Sequence, residues 1–185
     1  TLSITDHDTV EGVKKLSTLE HGNIQIINGI ELSAKTLTGR MHILGYDINA
    51  FDEELNKKMI EIKDNSINRV LSIMEQIKRD YGIVFGYEDI KNLVNSNHNL
   101  GRPDLAKLCV KYGYASSPQD AFDKYLIEAR KKTNGVGKGL PYQECLELIT
   151  KSGGIPVLAH PKTLELSSKD FLILVKEMIE KLGFK

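Results

Sequence analysis

The apolar residues of this chain change period twice, and that change limits the folds open to it. Over residues 1–48 the pattern is strand-like, broken by one short helix. Leu2 to Ile4 begins it, Val10, Val13, Leu16 and Leu19 recur at helical spacing before Gly22, and the β-branched run IQIINGIELS and the segment MHILGYDI follow. Gly29 inside the first of these predicts a bulge or a close backbone approach. From residue 50 to residue 138 the strand signal vanishes. Residues 52–80 predict a long amphipathic helix with Leu55, Met59, Ile62, Ile67, Val70, Leu71, Met74 and Ile77 on one face. Shorter helices are predicted at 87–93, 102–112 and 117–129. The alternation then resumes, with a helix from Leu140-Pro141 to about Ser152, the strand IPVLAH, and a last helix over 169–182 capped by Ser167 or Ser168. The expected architecture is an α/β body, residues 1–49 and 139–185, interrupted by an all-helical insertion at 50–138.

Charge and cysteine usage narrow the function classes. Lys+Arg and Asp+Glu both number 25, so the formal net charge is zero and there is no global basic field of the kind many nucleic-acid binders use. Cys109 and Cys145 stand far apart without C-x-x-C spacing, which predicts free thiols in a reducing compartment. No apolar run approaches the roughly 18 residues of a membrane span, and a cytoplasmic protein is expected. The chain starts on a strand pattern at Thr1 and stops just after a helix, which reads as a fragment of a longer protein.

Of the five histidines, His7, His42 and His160 lie in or just after strand patterns, and Glu31 sits inside one. Imidazole nitrogens and carboxylate oxygens suit borderline and hard divalent ions. Without a cation, carboxylates clustered in one mouth would raise one another's pKa values. Each residue alone has a plainer explanation, such as a hydrogen-bonded core histidine or a solvent-facing acid. Asp8, followed by Glu11 at the reciprocal capping position, reads as the N-cap of the first helix. Recurrence at four strand ends points instead to a shared site.

TDHDTVEG, GIELS, HILGYDI and VLAHP, in that order, resemble the PHP (polymerase and histidinol phosphatase) superfamily of metal-dependent phosphoesterases, and within it the TrpH-like or YciV-like branch. The segment NLGRPDLAKLCVKYGYASSPQDAFDKYL resembles that branch's helical insertion. The resemblance implies a partial distorted (β/α)7 barrel, with the family's opening H-x-H strand and closing D-x-H strand outside this chain. It implies His7, Glu31, His42 and His160 as metal ligands for a cluster of two or three divalent ions (manganese, iron or zinc), partial or absent in the fragment. Glu31 and His42 are the implied catalytic centre, and Asp6 a partner that steadies the strand end and an imidazole. Arg102, in the position of the branch's G-R-P-H arginine, is the implied substrate-phosphate contact, with Arg69 a further one. Asp104 stands where the branch often has His.

The implied activity is hydrolysis of nucleotide phosphate esters, either as a nucleoside 3′,5′-bisphosphate phosphatase or as a 5′–3′ exonuclease on short RNA or single-stranded DNA. The basic run Arg130-Lys131-Lys132, with Lys138, would support backbone contacts. The alternative is a non-catalytic structural fragment or a nucleic-acid adaptor using the helical insertion. Open sheet edges predict pairing with a second copy in a homodimer.

Overall fold

A computed structural model describes residues 1–36, 38–96, 98–133 and 139–182. The chain divides into two units, Thr1–Met59 with Lys138–Lys185, and Ile60–Gly137. In chain order the elements are β1 (Leu2–Ile4), α1 (Glu11–Leu16), β2 (Ile26–Ala34), β3 (Met41–Tyr46), α2 (Glu53–Tyr81), α3 (Tyr87–Val94), α4 (Arg102–Lys111), α5 (Pro118–Ala121), α6 (Ile127–Lys132), α7 (Tyr142–Lys151), β4 (Ile155–Leu158) and α8 (Ser168–Leu182). A π-helical turn, Phe122–Leu126, joins α5 to α6, and a 3₁₀ turn, Pro161–Leu164, follows β4.

The first unit is built on a four-stranded sheet in the order β1-β2-β3-β4. β1 runs parallel to β2, and β3 is antiparallel to both β2 and β4. Side chains alternate across a strand. Ile30 and Leu32 of β2 and Met41 and Ile43 of β3 therefore share one buried face, on which α7 packs with Cys145 and Ile149. The antiparallel register sets Glu31 against Leu44 and Ser33 against His42, which puts Glu31 and His42 together on the other face. Val157 and Ile155 of β4 pair with Leu44 and Tyr46 on that same face and are 43% and 59% exposed.

β1 matches the strand pattern of Leu2 to Ile4. It lies at the edge of the sheet and Leu2 is 47% exposed. Gly29 makes a close approach to the backbone of β1, where a Cβ would stand 2.8 Å from the carbonyl oxygen of Ile4. The ladder from Gly29 to Ala34 opposite Tyr46 to Met41 is continuous, so it holds no bulge.

The second unit is helical. Val70, Ile73 and Ile77 of α2 are fully buried against Leu105, Cys109, Ala121, Leu126 and Ala129. Leu71, assigned to the apolar face from its spacing, is 36% exposed, and Ile73 occupies the core in its place. Ser117 caps α5, its hydroxyl accepting the N–H of Asp120, and Pro118 fills the first turn where no N–H is needed. The single helix expected from 117 to 129 is interrupted by the π turn. Among the described residues no helix is long and apolar enough to cross a membrane.

Candidate metal centre

Each strand of the sheet brings one donor to the face opposite α7. His7 continues β1 and forms a parallel bridge with Glu31 of β2, His42 is the second residue of β3, and His160 follows β4 by two residues. Because β3 is antiparallel to its neighbours, its N-terminal end meets the C-terminal ends of the other strands, so donors from both chain directions converge.

The turn after β1 explains how His7 is held. The N–H of Glu31 donates to the Asp6 carbonyl at 3.1 Å, and the N–H of Asp8 donates to the Glu31 carbonyl at 2.9 Å. A continuing strand would next offer the carbonyl of residue 8 to the N–H of Ser33. The chain instead turns away at Asp8, whose φ is 54°, and the Asp8 carboxylate accepts that N–H at 2.7 Å. Asp8 thus terminates the sheet edge, which corrects the helix-cap reading. α1 begins after Val10 without a side-chain cap from it, and the Thr9 hydroxyl accepts the Glu11 N–H at 3.3 Å.

Three donor atoms form a nearly equilateral triangle. His42 Nδ1 is 3.0 Å from Glu31 Oε1 and 3.0 Å from His160 Nε2, and His160 Nε2 is 3.1 Å from Glu31 Oε1. The second carboxylate oxygen, Oε2, is 3.8 Å from His7 Nε2. The rings of His7 and His160 each meet that of His42 edge to face, with centroids 4.7 and 4.9 Å away. Burial, and then the neighbouring His7, hold the His42 imidazole below its ordinary pKa against the raising pull of Glu31, which favours the neutral form that can ligate.

Hydrogen bonding alone serves this triangle poorly. A neutral imidazole presents either one N–H or one lone pair to a given point, and the carboxylate only accepts. If both rings donate to Glu31, two N–H groups crowd each other at a nitrogen–nitrogen distance of 3.0 Å. If one ring presents a lone pair instead, at least one contact sets acceptor against acceptor. A divalent cation accepts all three lone pairs, and a set of imidazoles with one carboxylate suits zinc, iron or manganese. His7, Glu31 and His42 also offer ligand atoms within 4.8 Å of one another. The residues therefore fit a divalent ion.

Asp6 is exposed. Its carboxylate lies over Gly12 in α1, where a methyl group would collide with it, while its carbonyl takes the Glu31 N–H. Arg69 and Arg102 belong to the second unit. There α2 grips Leu100 at both ends of its backbone: the Ser66 hydroxyl accepts its N–H at 3.0 Å, and Arg69 Nη2 donates to its carbonyl at 3.1 Å. This fixes the loop that leads through Gly101 into Arg102. The Arg102 guanidinium is half-buried 5.4 Å from the Phe122 ring centre, and burial together with Arg130 lowers its pKa. Asp104 is used locally: its carboxylate accepts the Gly101 N–H at 2.9 Å and stands 3.1 Å from His98 Nε2. Lys131 and Lys132 pair with Glu128 and Asp80, and Lys138 lies outside the described residues. Sequence reasoning passed over Thr163, whose hydroxyl meets the His160 ring at 2.9 Å; its place three residues after His160 was the available signal.

No protein-family model matches the chain. It is 29% identical over 187 residues to the 5′–3′ exoribonuclease Rnm of Escherichia coli, covering 99% of this chain and 62% of that protein. It is also 29% identical to the 5′–3′ exoribonuclease Rnm of Salmonella typhimurium, covering 91% of this chain and 58% of that protein. Identity to the 3′,5′-nucleoside bisphosphate phosphatase of Chromobacterium violaceum is 22%, over 86% of this chain and 56% of that protein. Among solved structures, an amidohydrolase from Chromobacterium violaceum with bound sulfate and no metal superposes with a TM-score of 0.76 at 20% identity, covering 97% of this chain and 63% of that one. A Bifidobacterium adolescentis protein named as a metal-dependent phosphoesterase superposes with a TM-score of 0.69 at 21% identity, with the same coverage of 97% and 63%. The chain thus spans 58% and 62% of the length of the two exoribonucleases. It is a homologue of these exoribonucleases and of the bisphosphate phosphatase, in keeping with the PHP superfamily that its motifs resemble.

Proposed function

We propose that this chain carries part of the active centre of a metal-dependent phosphoesterase acting on nucleotides: a nucleoside 3′,5′-bisphosphate phosphatase, a 5′–3′ exonuclease on short RNA or single-stranded DNA, or both. The observation that carries the reading is the triangle of Glu31 Oε1, His42 Nδ1 and His160 Nε2, with edges of 3.0–3.1 Å. In this reading His7, Glu31, His42 and His160 hold divalent ions of a two- or three-metal cluster. Such ions, when bound, neutralise phosphate oxygens and make a water acidic enough to attack near neutral pH.

The chain's own residues supply the rest. Glu31 spans two positions, one carboxylate oxygen toward His42 and His160 and the other toward His7. Asp6 and Asp8 hold the end of β1 against β2, and so set His7 beside Glu31. Arg102 presents paired N–H donors to a substrate phosphate. Arg69, whose guanidinium holds the Leu100 carbonyl, serves the same contact by positioning the Arg102 loop.

The (β/α)7 barrel belongs to this proposal. Its support is that the metal face of the sheet also exposes Val157 and Ile155, apolar residues that suit a barrel interior. The helical segment 50–138 is read as an insertion into that barrel. Pairing of two copies along the open edges of β1 and β4 is part of the same reading.

The test is hydrolysis of adenosine 3′,5′-bisphosphate and of 5′-phosphorylated short RNA with added manganese. Release of phosphate or mononucleotide, abolished by Glu31→Gln, is expected. Failure to cleave either substrate at saturating metal, while a generic aryl phosphate also survives, leaves only the non-catalytic alternative.

A further inference from the structure

His160 is held from behind by a residue that decides what its front can do. The Thr163 hydroxyl lies 2.9 Å from His160 Nδ1. The same hydroxyl lies 2.9 Å from the carbonyl oxygen of Arg40 and 3.0 Å from that of His160. A hydroxyl has one proton, and a carbonyl oxygen can only accept. With two carbonyls competing for that proton, the Thr163 oxygen is left as the acceptor toward the ring. The proton between Thr163 and His160 is then the ring's own, on Nδ1. Nε2 consequently keeps its lone pair, and Nε2 is the atom that faces Glu31 Oε1 and His42 Nδ1.

We infer that Thr163 is a positioning residue that locks His160 in the Nδ1–H tautomer, and so makes Nε2 a ligand. The inference rests on the metal-centre reading for its purpose but not for its geometry.

The surroundings keep Thr163 in place. Its carbonyl accepts the Arg40 N–H at 2.6 Å, and the Thr38 hydroxyl donates to the next carbonyl, that of Leu164, at 2.8 Å. Gly39, at a φ of 57°, passes so close to this turn that a Cβ would collide with the Thr163 carbonyl. His160 itself has a φ of 26°, a conformation that side chains rarely adopt and that needs support from its neighbours. The turn Pro161–Leu164 is therefore bound to the segment that leads into β3, two residues before His42. One hydroxyl ties the ring of His160 to the strand that carries His42, which fixes the separation between two of the three triangle corners.

Nitrogen-15 NMR of the histidine rings in the metal-free protein, above the histidine titration range, tests the inference directly. The expected signature is a protonated Nδ1 and an unprotonated Nε2 for His160. Thr163→Val removes the hydroxyl while keeping the shape. It should let the ring populate the Nε2–H tautomer and weaken binding of zinc or manganese, read by titration calorimetry, about tenfold or more. Thr163→Ser should restore both. A wild-type His160 with its proton on Nε2 overturns the inference without any variant. So does a folded Thr163→Val protein with wild-type affinity and an unchanged tautomer. If the wild-type protein binds neither metal, the metal-centre reading fails, and the tautomer of His160 still decides the role of Thr163.

Discussion

At the scale of single residues, Asp8 shows how one side chain can stand in for backbone. Its carboxylate takes the Ser33 N–H that a longer β1 would have taken with a carbonyl. Asp8→Ala should destabilise the protein by about 1.5–3 kcal/mol, the range for a lost hydrogen bond to a charged group. Asp8→Asn should cost much less, because the amide oxygen can still accept. Chemical denaturation of both variants measures the difference. Sequence reading took Asp8 for a helix cap because Glu11 completes a familiar capping pattern. A φ of 54°, which sends the chain away from the sheet before the helix starts, leaves no such signature.

Cys145 carries a pH prediction. Burial, with Asp8 and Glu144 adding to it, pushes its thiol up to about 12. The folded state therefore holds its proton more tightly than an unfolded chain, in which a cysteine ionises near about 8.5. The stabilisation is fully present below that value and is lost progressively as pH rises toward about 12. Cys145→Ala should flatten the alkaline decline of stability seen in melts across that window. The native thiol should stay inert to aromatic disulfide reagents until the protein is denatured.

At the scale of elements, the β2 and β3 strand patterns were legible in the sequence, and the register between them was not. Ile30 and Leu32 face α7, so Glu31 must point the other way, and the antiparallel register adds His42 to it. In the sequence, His7, Glu31, His42 and His160 are grouped instead by their recurrence at strand ends. For Thr163 the only signal in the sequence is its place three residues after His160, because its contact with Arg40 depends on a 3₁₀ turn closing on residues 38–40 from more than a hundred positions away. The long helix was legible in extent but not in facing. Leu71 and Ile73 are both compatible with an apolar stripe, and only the packing against α4 and α6 chooses Ile73. Ile73→Ala should cost about 2–5 kcal/mol, as large-to-small changes in a core do. Leu71→Ala should cost less than about 1 kcal/mol. Equal losses in parallel denaturation curves would mean that α2 turns Leu71 as well as Ile73 toward the core.

At the scale of the whole molecule, two compact units share one chain. The proposed metal donors all lie in the first unit, and the arginines proposed as phosphate contacts lie in the second. The sheet of the first unit supplies the donors one strand at a time, which is why they are spread from His7 to His160 in sequence. No short motif contains them all, and the order of the motifs was the sequence signal that united them. A bound divalent ion would stabilise the first unit by mass action, so added manganese or zinc should raise its melting temperature. A calorimetric titration of manganese and of zinc into the metal-stripped protein and into Glu31→Gln tests the proposed metal centre. Saturable binding to the native chain that weakens by at least about tenfold in the variant is expected. Binding absent from the native chain for both ions, or of equal strength in the two proteins, would contradict it.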